Sequence, residues 1–156
     1  MSFLDEIYEA YLAIDGWISS QEIQAESALK ATWARTGELN EYAFFVLFFG
    51  QIEDYIDQEY EETRGDPTRA AFRFKLDQVK CLWQKDESEE QWIIDIEDRS
   101  AAQLIAEKEG KSIKELIEDY YDIRCEIAHG RVESGHMGNR IQLPTIYLFI
   151  QSLITA

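Results

Sequence analysis

The sequence predicts an all-α protein, a bundle of about five to seven helices in a single domain spanning residues 1–156. Three observations predict it. Apolar residues recur at helical spacing in segment after segment. Serine-to-glutamate spacings of three, the signature of a capping box, precede apolar runs at Ser19/Glu22 and Ser112/Glu115. No stretch shows the strict alternation of a half-buried strand, and no internal repeat is present.

In order, Phe3 to Ile14 puts Phe3, Leu4, Ile7, Tyr8, Tyr11 and Leu12 on one helical stripe, and Asp15-Gly16 reads as a turn. The Ser19 box then opens a helix to about Arg35, stopped at Gly37, that carries Ile23, Ala25, Leu29 and Trp33. Asn40 to Thr63 reads as one long helix. Its first half, Tyr42 to Phe49, is apolar on every side and must be covered all round, by a bundle centre or by a bundle face plus a second subunit. Gly50 within it suggests close helix contact. Pro67 suits the first turn of the next helix, to about Gln84. An acidic turn-and-helix stretch from Asp86 continues through Ala101, Leu104 and Ile105 to a stop at Gly110. The Ser112 box starts the best-signalled helix, with Ile113, Leu116, Ile117, Tyr120, Tyr121, Ile123 and Ile127 at helical period. Gly130 is its left-handed stop. Glu133 to Asn139 is a loop, and Pro144 opens a last helix to about Thr155.

Composition bounds the function. The chain is 46% hydrophobic, which argues against disorder, and long enough to bury a core. Fifteen Lys and Arg against 31 Asp and Glu leave a net charge of −16. That argues against a general nucleic-acid binder and fits a basic protein partner, or a local basic site on an acidic body. Two cysteines make no disulfide framework. The N-terminus lacks the basic start of a signal peptide and no apolar run is long enough to span a bilayer, so the expected location is cytoplasmic, with no membrane partner. The exception to the acidity is Arg64 to Lys85, with six Lys and Arg against Asp66 and Asp77. Within it Arg69, Arg73 and Lys80 share a helical face, which reads either as a phosphate-facing stripe or as a solvated face.

The chemistry-bearing residues lie at the end of the Ser112 helix, in Arg124-Cys125-Glu126-Ile127-Ala128-His129-Gly130. A cationic imidazole is favoured at a helix C-terminus. Arg supplies a fixed positive fork for phosphate, and His can take or give a proton near neutrality. Together they suit attack by an RNA 2′-hydroxyl on its neighbouring phosphate, which needs a base, an acid and a cation but no metal or other cofactor. Five residues on a helix place Arg124 and His129 about 140° apart. Fraying of the helix end, or a second copy in a two-fold dimer, must therefore bring them together. Glu126, three residues before His129, is placed to orient the imidazole. The structural alternative is that His129 caps carbonyls while Arg124 pairs with Asp122 or Glu118, and spacing alone favours it.

Other patterns carry less. Glu126-x-x-His129 and Glu133-x-x-His136 match the spacing of di-iron carboxylate bundles, with Glu53 a further candidate ligand, but Ser134-Gly135 breaks the second pair. Cys125 and His129 at i, i+4 could form a thiolate–imidazolium pair, yet no third orienting group is evident. His136 reads as a surface residue, and Trp17, Trp33, Trp83 and Trp92 as core.

The Arg124-to-His129 stretch, with its Ile-Ala-His-Gly ending, resembles the signature of the HEPN superfamily: an Arg, four to six residues, then a His near the end of a helix in a four- or five-helix bundle. The stretch Phe48-Phe49-Gly50-Gln51-Ile52-Glu53-Asp54-Tyr55-Ile56 also looks like that family's early core helix. The resemblance covers most of the chain as helix order and about a dozen residues as motif. It implies a homodimer with both motifs meeting at the interface. It also implies metal-independent endoribonuclease activity, often as the toxin of a toxin–antitoxin pair or in phage defence, with Arg124 and His129 as the catalytic pair. Many active members carry Asn, Asp or His directly after the Arg, where this chain has Cys125. Some members are inactive binding modules, so the alternative is a non-catalytic helical module for a basic protein partner.

Overall fold

The computed structural model describes residues 1–65, 70–79, 100–133 and 140–155. Among them every regular element is a helix: α1 (Phe3–Gln24), α2 (Ser27–Arg64), α3 (Phe72–Val79), α4 (Ala101–Lys108), α5 (Ile113–Ala128) and α6 (Leu143–Thr155). They form two compact units, one of Met1–Phe49 with Asp122–Tyr147, the other of Gly50–Tyr121 with Leu148–Ala156. Helices α2, α5 and α6 each contribute to both. No described helix is long and apolar enough to cross a membrane.

The first unit departs from the expected helix boundaries. α1 runs through Asp15-Gly16 instead of turning there, and Ser19 and Glu22 lie inside it. The reason is burial. Leu4, Ile7, Tyr11 and Ile18 make one buried stripe. A turn at Gly16 would remove Ile18, whose burial is worth about 1.5–3 kcal/mol, against about 1 kcal/mol for a glycine in mid-helix. The working N-terminal cap is Ser2, whose hydroxyl accepts the Asp5 amide at 3.2 Å while the Asp5 carboxylate accepts the Ser2 amide at 3.0 Å. The Tyr147 hydroxyl also donates to Asp5, at 2.6 Å, and this bond is the first cause holding the Asp5 carboxyl below its ordinary value. Above it, the Tyr147 ring stacks on Tyr8 at 4.1 Å.

The chain breaks at Ala25, in extended conformation, and α2 then runs unbroken past Gly37 to Arg64. Gly37 is a packing position rather than a stop: a Cβ there would lie 3.5 Å from Ile18 of α1. Gly50 shows no close contact, since a Cβ there would meet nothing within 4 Å, and the same is true of Gly16. Gly16→Ala should therefore stabilise the protein by up to about 1 kcal/mol, read as a rise in thermal midpoint.

Tyr42 to Phe49 is buried on one side only. Phe45 and Phe48 are fully inaccessible, while Val46 and Leu47 are 38% and 49% exposed. Tyr11 packs edge-on to Phe44 at 5.6 Å, and Trp17, itself exposed, packs edge-on to Trp33 at 5.5 Å.

In the second unit, the Lys75 ammonium pairs with Asp57 at 2.8 Å, holding α3 to α2. Lys114 bridges Asp77 at 2.7 Å and Glu118 at 3.2 Å, holding α3 to α5. α3 begins at Phe72, because Phe72, Leu76 and Val79 are its inward stripe; the expected start at Pro67 and end near Gln84 lie outside the described residues. α4 is opened by a capping box of Ser100 and Gln103 and joined to α6 where Ser152 Oγ accepts the Ala102 amide at 3.1 Å; the expected acidic turn-and-helix stretch from Asp86 to Asp98 lies outside the described residues. Tyr120 packs edge-on to Phe149 at 5.6 Å.

α5 follows the sequence closely. Ser112 Oγ accepts the Glu115 amide at 3.2 Å, and Ile113, Leu116, Ile117, Tyr120 and Ile123 are buried. Gly130 has φ +72°, as expected of a left-handed stop. α6 starts at Leu143 with Pro144 in its first turn.

Candidate functional site

Arg124, Glu126 and His129 all belong to the first unit. The end of α5 that carries them is tightly closed. The His129 amide donates to the Cys125 carbonyl at 3.0 Å, so the last turn is intact. The Gly130 amide then reaches Ile127 at 3.0 Å and the Arg131 amide reaches Glu126 at 2.9 Å. This pair of bonds is a Schellman motif, with Gly130 taking the left-handed position that a Cβ would disfavour. His129 is the residue at the cap, exposed to solvent. Among the described residues its imidazole has no hydrogen-bond partner. Arg124, one turn earlier, is half-buried. Since the helix end is not frayed, the two side chains keep their angular offset of about 140°.

Two residues missed by sequence reasoning sit against this end. Arg140, just before α6, pairs with the Glu126 carboxylate at 3.1 Å. Glu126 is thus held through its side chain by Arg140 and through its carbonyl by Arg131. Arg35, on α2, donates from Nη2 to the Val132 carbonyl, three residues beyond His129. Its Nη1 stands 3.0 Å from Glu38 Oε1, off the hydrogen-bonding direction, and Glu38 in turn accepts the Tyr42 hydroxyl at 2.5 Å. Arg35 lies 97 positions from Val132 and Arg140 lies 14 from Glu126, so local sequence held no signal for either contact.

The α2 flank beside α1 is electronegative. Burial pushes the Glu41 carboxyl above its ordinary value of 4.5, and the charges of Asp15 and Glu38 add to the rise. Burial, with Asp15 and Glu41 nearby, raises the Tyr11 phenol to about 12, and burial with the Glu38 hydrogen bond does the same to Tyr42. A carboxyl raised on folding contributes most to stability below pH 4.5 and loses that contribution as pH climbs through the raised value. Glu41→Gln should therefore raise the melting temperature at pH 7 above that of the parent. The advantage should vanish by pH 4, where both side chains are neutral.

The candidate RNA-binding stripe is placed only in part. Arg73 is exposed on α3, in the second unit, with its guanidinium carbon 5.2 Å from the Tyr121 ring centre. Phe72 stacks on the same ring at 5.1 Å. Arg69 and Lys80 lie outside the described residues, as do Trp83, Trp92 and His136. Glu133 is exposed and outside any helix, and the rest of the second Glu-x-x-His pair lies outside the described residues. Among the described residues no three His, Cys, Asp or Glu side chains could hold a metal ion. Cys125 is a half-buried free thiol. Comparison of the chain with protein-family models, with curated proteins and with solved structures finds no match.

Proposed function

We propose that this protein is a HEPN-like, metal-independent endoribonuclease that acts as a homodimer, in a toxin–antitoxin or defence role. The observation that carries the reading is the Arg124-x₄-His129 spacing on the last turns of α5, with the imidazole exposed at a closed left-handed turn. On this reading Arg124 holds the reacting phosphate and stabilises its developing charge, and His129 moves the proton. Glu126 does not hydrogen-bond the imidazole but is tied to Arg140, so its part is to hold that cation at the end of α5. Arg69, Arg73 and Lys80 supply the track for the RNA backbone, with salt-sensitive binding as the consequence. An antitoxin would be the natural protein partner.

The intact helix end supports the dimer, because a single copy keeps Arg124 and His129 on different faces. A surface for the second copy is available on α2. Its outward face from Leu29 to Leu47 consists of Leu29, Thr32, Thr36, Leu39, Ala43, Val46 and Leu47, with no ionisable residue. Four of these apolar side chains stand 38–54% exposed. Two copies that each carry −16 must meet where neither brings carboxylates, and this face meets that condition. Arg35 is about 80° around the helix from Ala43. Its bond to Val132 therefore brings the turn after His129 to the edge of the same face.

A second reading rests on a different surface. Asp54, Asp57, Glu61 and Glu62 are exposed along the second half of α2, an acidic face suited to a basic protein partner. The two readings separate on one test, incubation of a structured RNA with the purified protein in EDTA. Cleavage leaving 2′,3′-cyclic phosphate ends, weakening as salt rises, supports the nuclease. Binding of a basic protein without RNA cleavage by a folded dimer supports the interaction module.

A further inference from the structure

We propose that Arg35 is a positioning residue for His129, acting by clamping the chain that leaves the α5 turn; this rests on the nuclease reading above. The turn itself is closed by local bonds. Gly130 is fixed to Ile127 and Arg131 to Glu126, both within five residues. Such bonds shape the turn but do not say where it stands relative to the rest of the unit. The next residue, Val132, supplies that anchor, since its carbonyl accepts from the Arg35 guanidinium of α2.

The anchor is itself prepared. Arg35, Glu38 and Tyr42 are spaced i, i+3, i+7 and share one stripe of α2. Tyr42 is buried and its hydroxyl donates to Glu38 at 2.5 Å. Glu38 then faces Arg35 Nη1 at 3.0 Å, leaving Nη2 for Val132. The planar fork suits this, because the charge contact of Nη1 with Glu38 fixes the plane in which Nη2 donates to Val132, whereas a flexible ammonium has no such fixed second donor. The substrate itself is not touched: the guanidinium acts on a main-chain carbonyl three residues from the imidazole. A proton-transferring group misplaced by about 1 Å can lose on the order of a hundredfold in rate.

The test uses the full chain with Arg35→Gln and Arg35→Lys, read by amide hydrogen exchange and by RNA cleavage. Arg35→Gln should speed exchange at Gly130 and Arg131 by about tenfold or more, with Tyr11 in α1 close to its parental rate. It should lower kcat roughly ten- to hundredfold with KM unchanged. Arg35→Lys should recover part of both. Tyr42→Phe, which keeps the buried ring, should move the same amides by less, and it serves should Arg35→Gln fail to fold. Uniform acceleration of exchange through the unit would overturn the proposal, as would unchanged exchange at the turn. So would a change in KM at constant kcat, which would make Arg35 an RNA contact. Should the parent cleave no RNA, the nuclease reading falls alone. The exchange pattern and the His129 imidazole nitrogen shifts then decide whether Arg35 holds the turn.

Discussion

His129→Ala should reduce RNA cleavage by at least about a hundredfold while leaving the thermal midpoint within a degree or two of the parent. The first half follows from the role proposed for the imidazole, since a positioned proton-transferring group contributes about 10²–10⁴ in rate. The second follows from its place. His129 is exposed, its side chain has no hydrogen-bond partner among the described residues, and the closing bonds of the turn are all main-chain. Removing the ring therefore opens no cavity. The assay is cleavage of a structured RNA in EDTA, with product ends identified as cyclic phosphates. Equal cleavage by parent and variant would assign the activity to another site or to a contaminant. A fall in cleavage matched by a fall in stability would mean that His129 is structural.

Phe48→Ala and Leu47→Glu should separate fold from assembly on neighbouring positions of one helix. Phe48 is fully buried, against Tyr8 at 6.4 Å among others, so its truncation should cost about 3–5 kcal/mol. Leu47 is about half exposed on the outward face, so the isolated chain should lose no more than about 0.5 kcal/mol. In a dimer joined across that face, however, each Leu47→Glu places a carboxylate in an apolar interface facing its own copy. Sedimentation should then show monomer for Leu47→Glu and dimer for the parent, at concentrations where both are folded. A dimer that survives Leu47→Glu would move the interface elsewhere. A parent that sediments as monomer would remove the dimer altogether.

How much was legible in advance varies with how local the cause is. The Ser112 cap, the α5 stripe and the Gly130 stop were all readable, because each rests on residues a turn or less apart. Asp15-Gly16 and Gly37 were misread for the opposite reason. They are sound local turn and stop signals, outweighed by the burial of Ile18 and by its packing against the very position of Gly37. The Ser2 cap was overlooked because Asp5, and not Glu or Gln, occupies the reciprocal position. Ser100 with Gln103 is an ordinary capping box, hidden because the acidic stretch before it reads as continuing straight into Ala101, Leu104 and Ile105.

The sequence alone determined the helical class, the acidic charge and the motif at the end of α5. These follow from spacing along the chain and from the chemistry of single side chains. Only the tertiary structure decided which side of Tyr42–Phe49 is buried, that the α5 end is closed, and that Arg35 and Arg140 serve it. Those outcomes depend on segments far apart in sequence competing for the same buried surface and the same carbonyl or carboxylate. Periodicity can name the faces of a helix, but it cannot say which neighbour arrives to cover them.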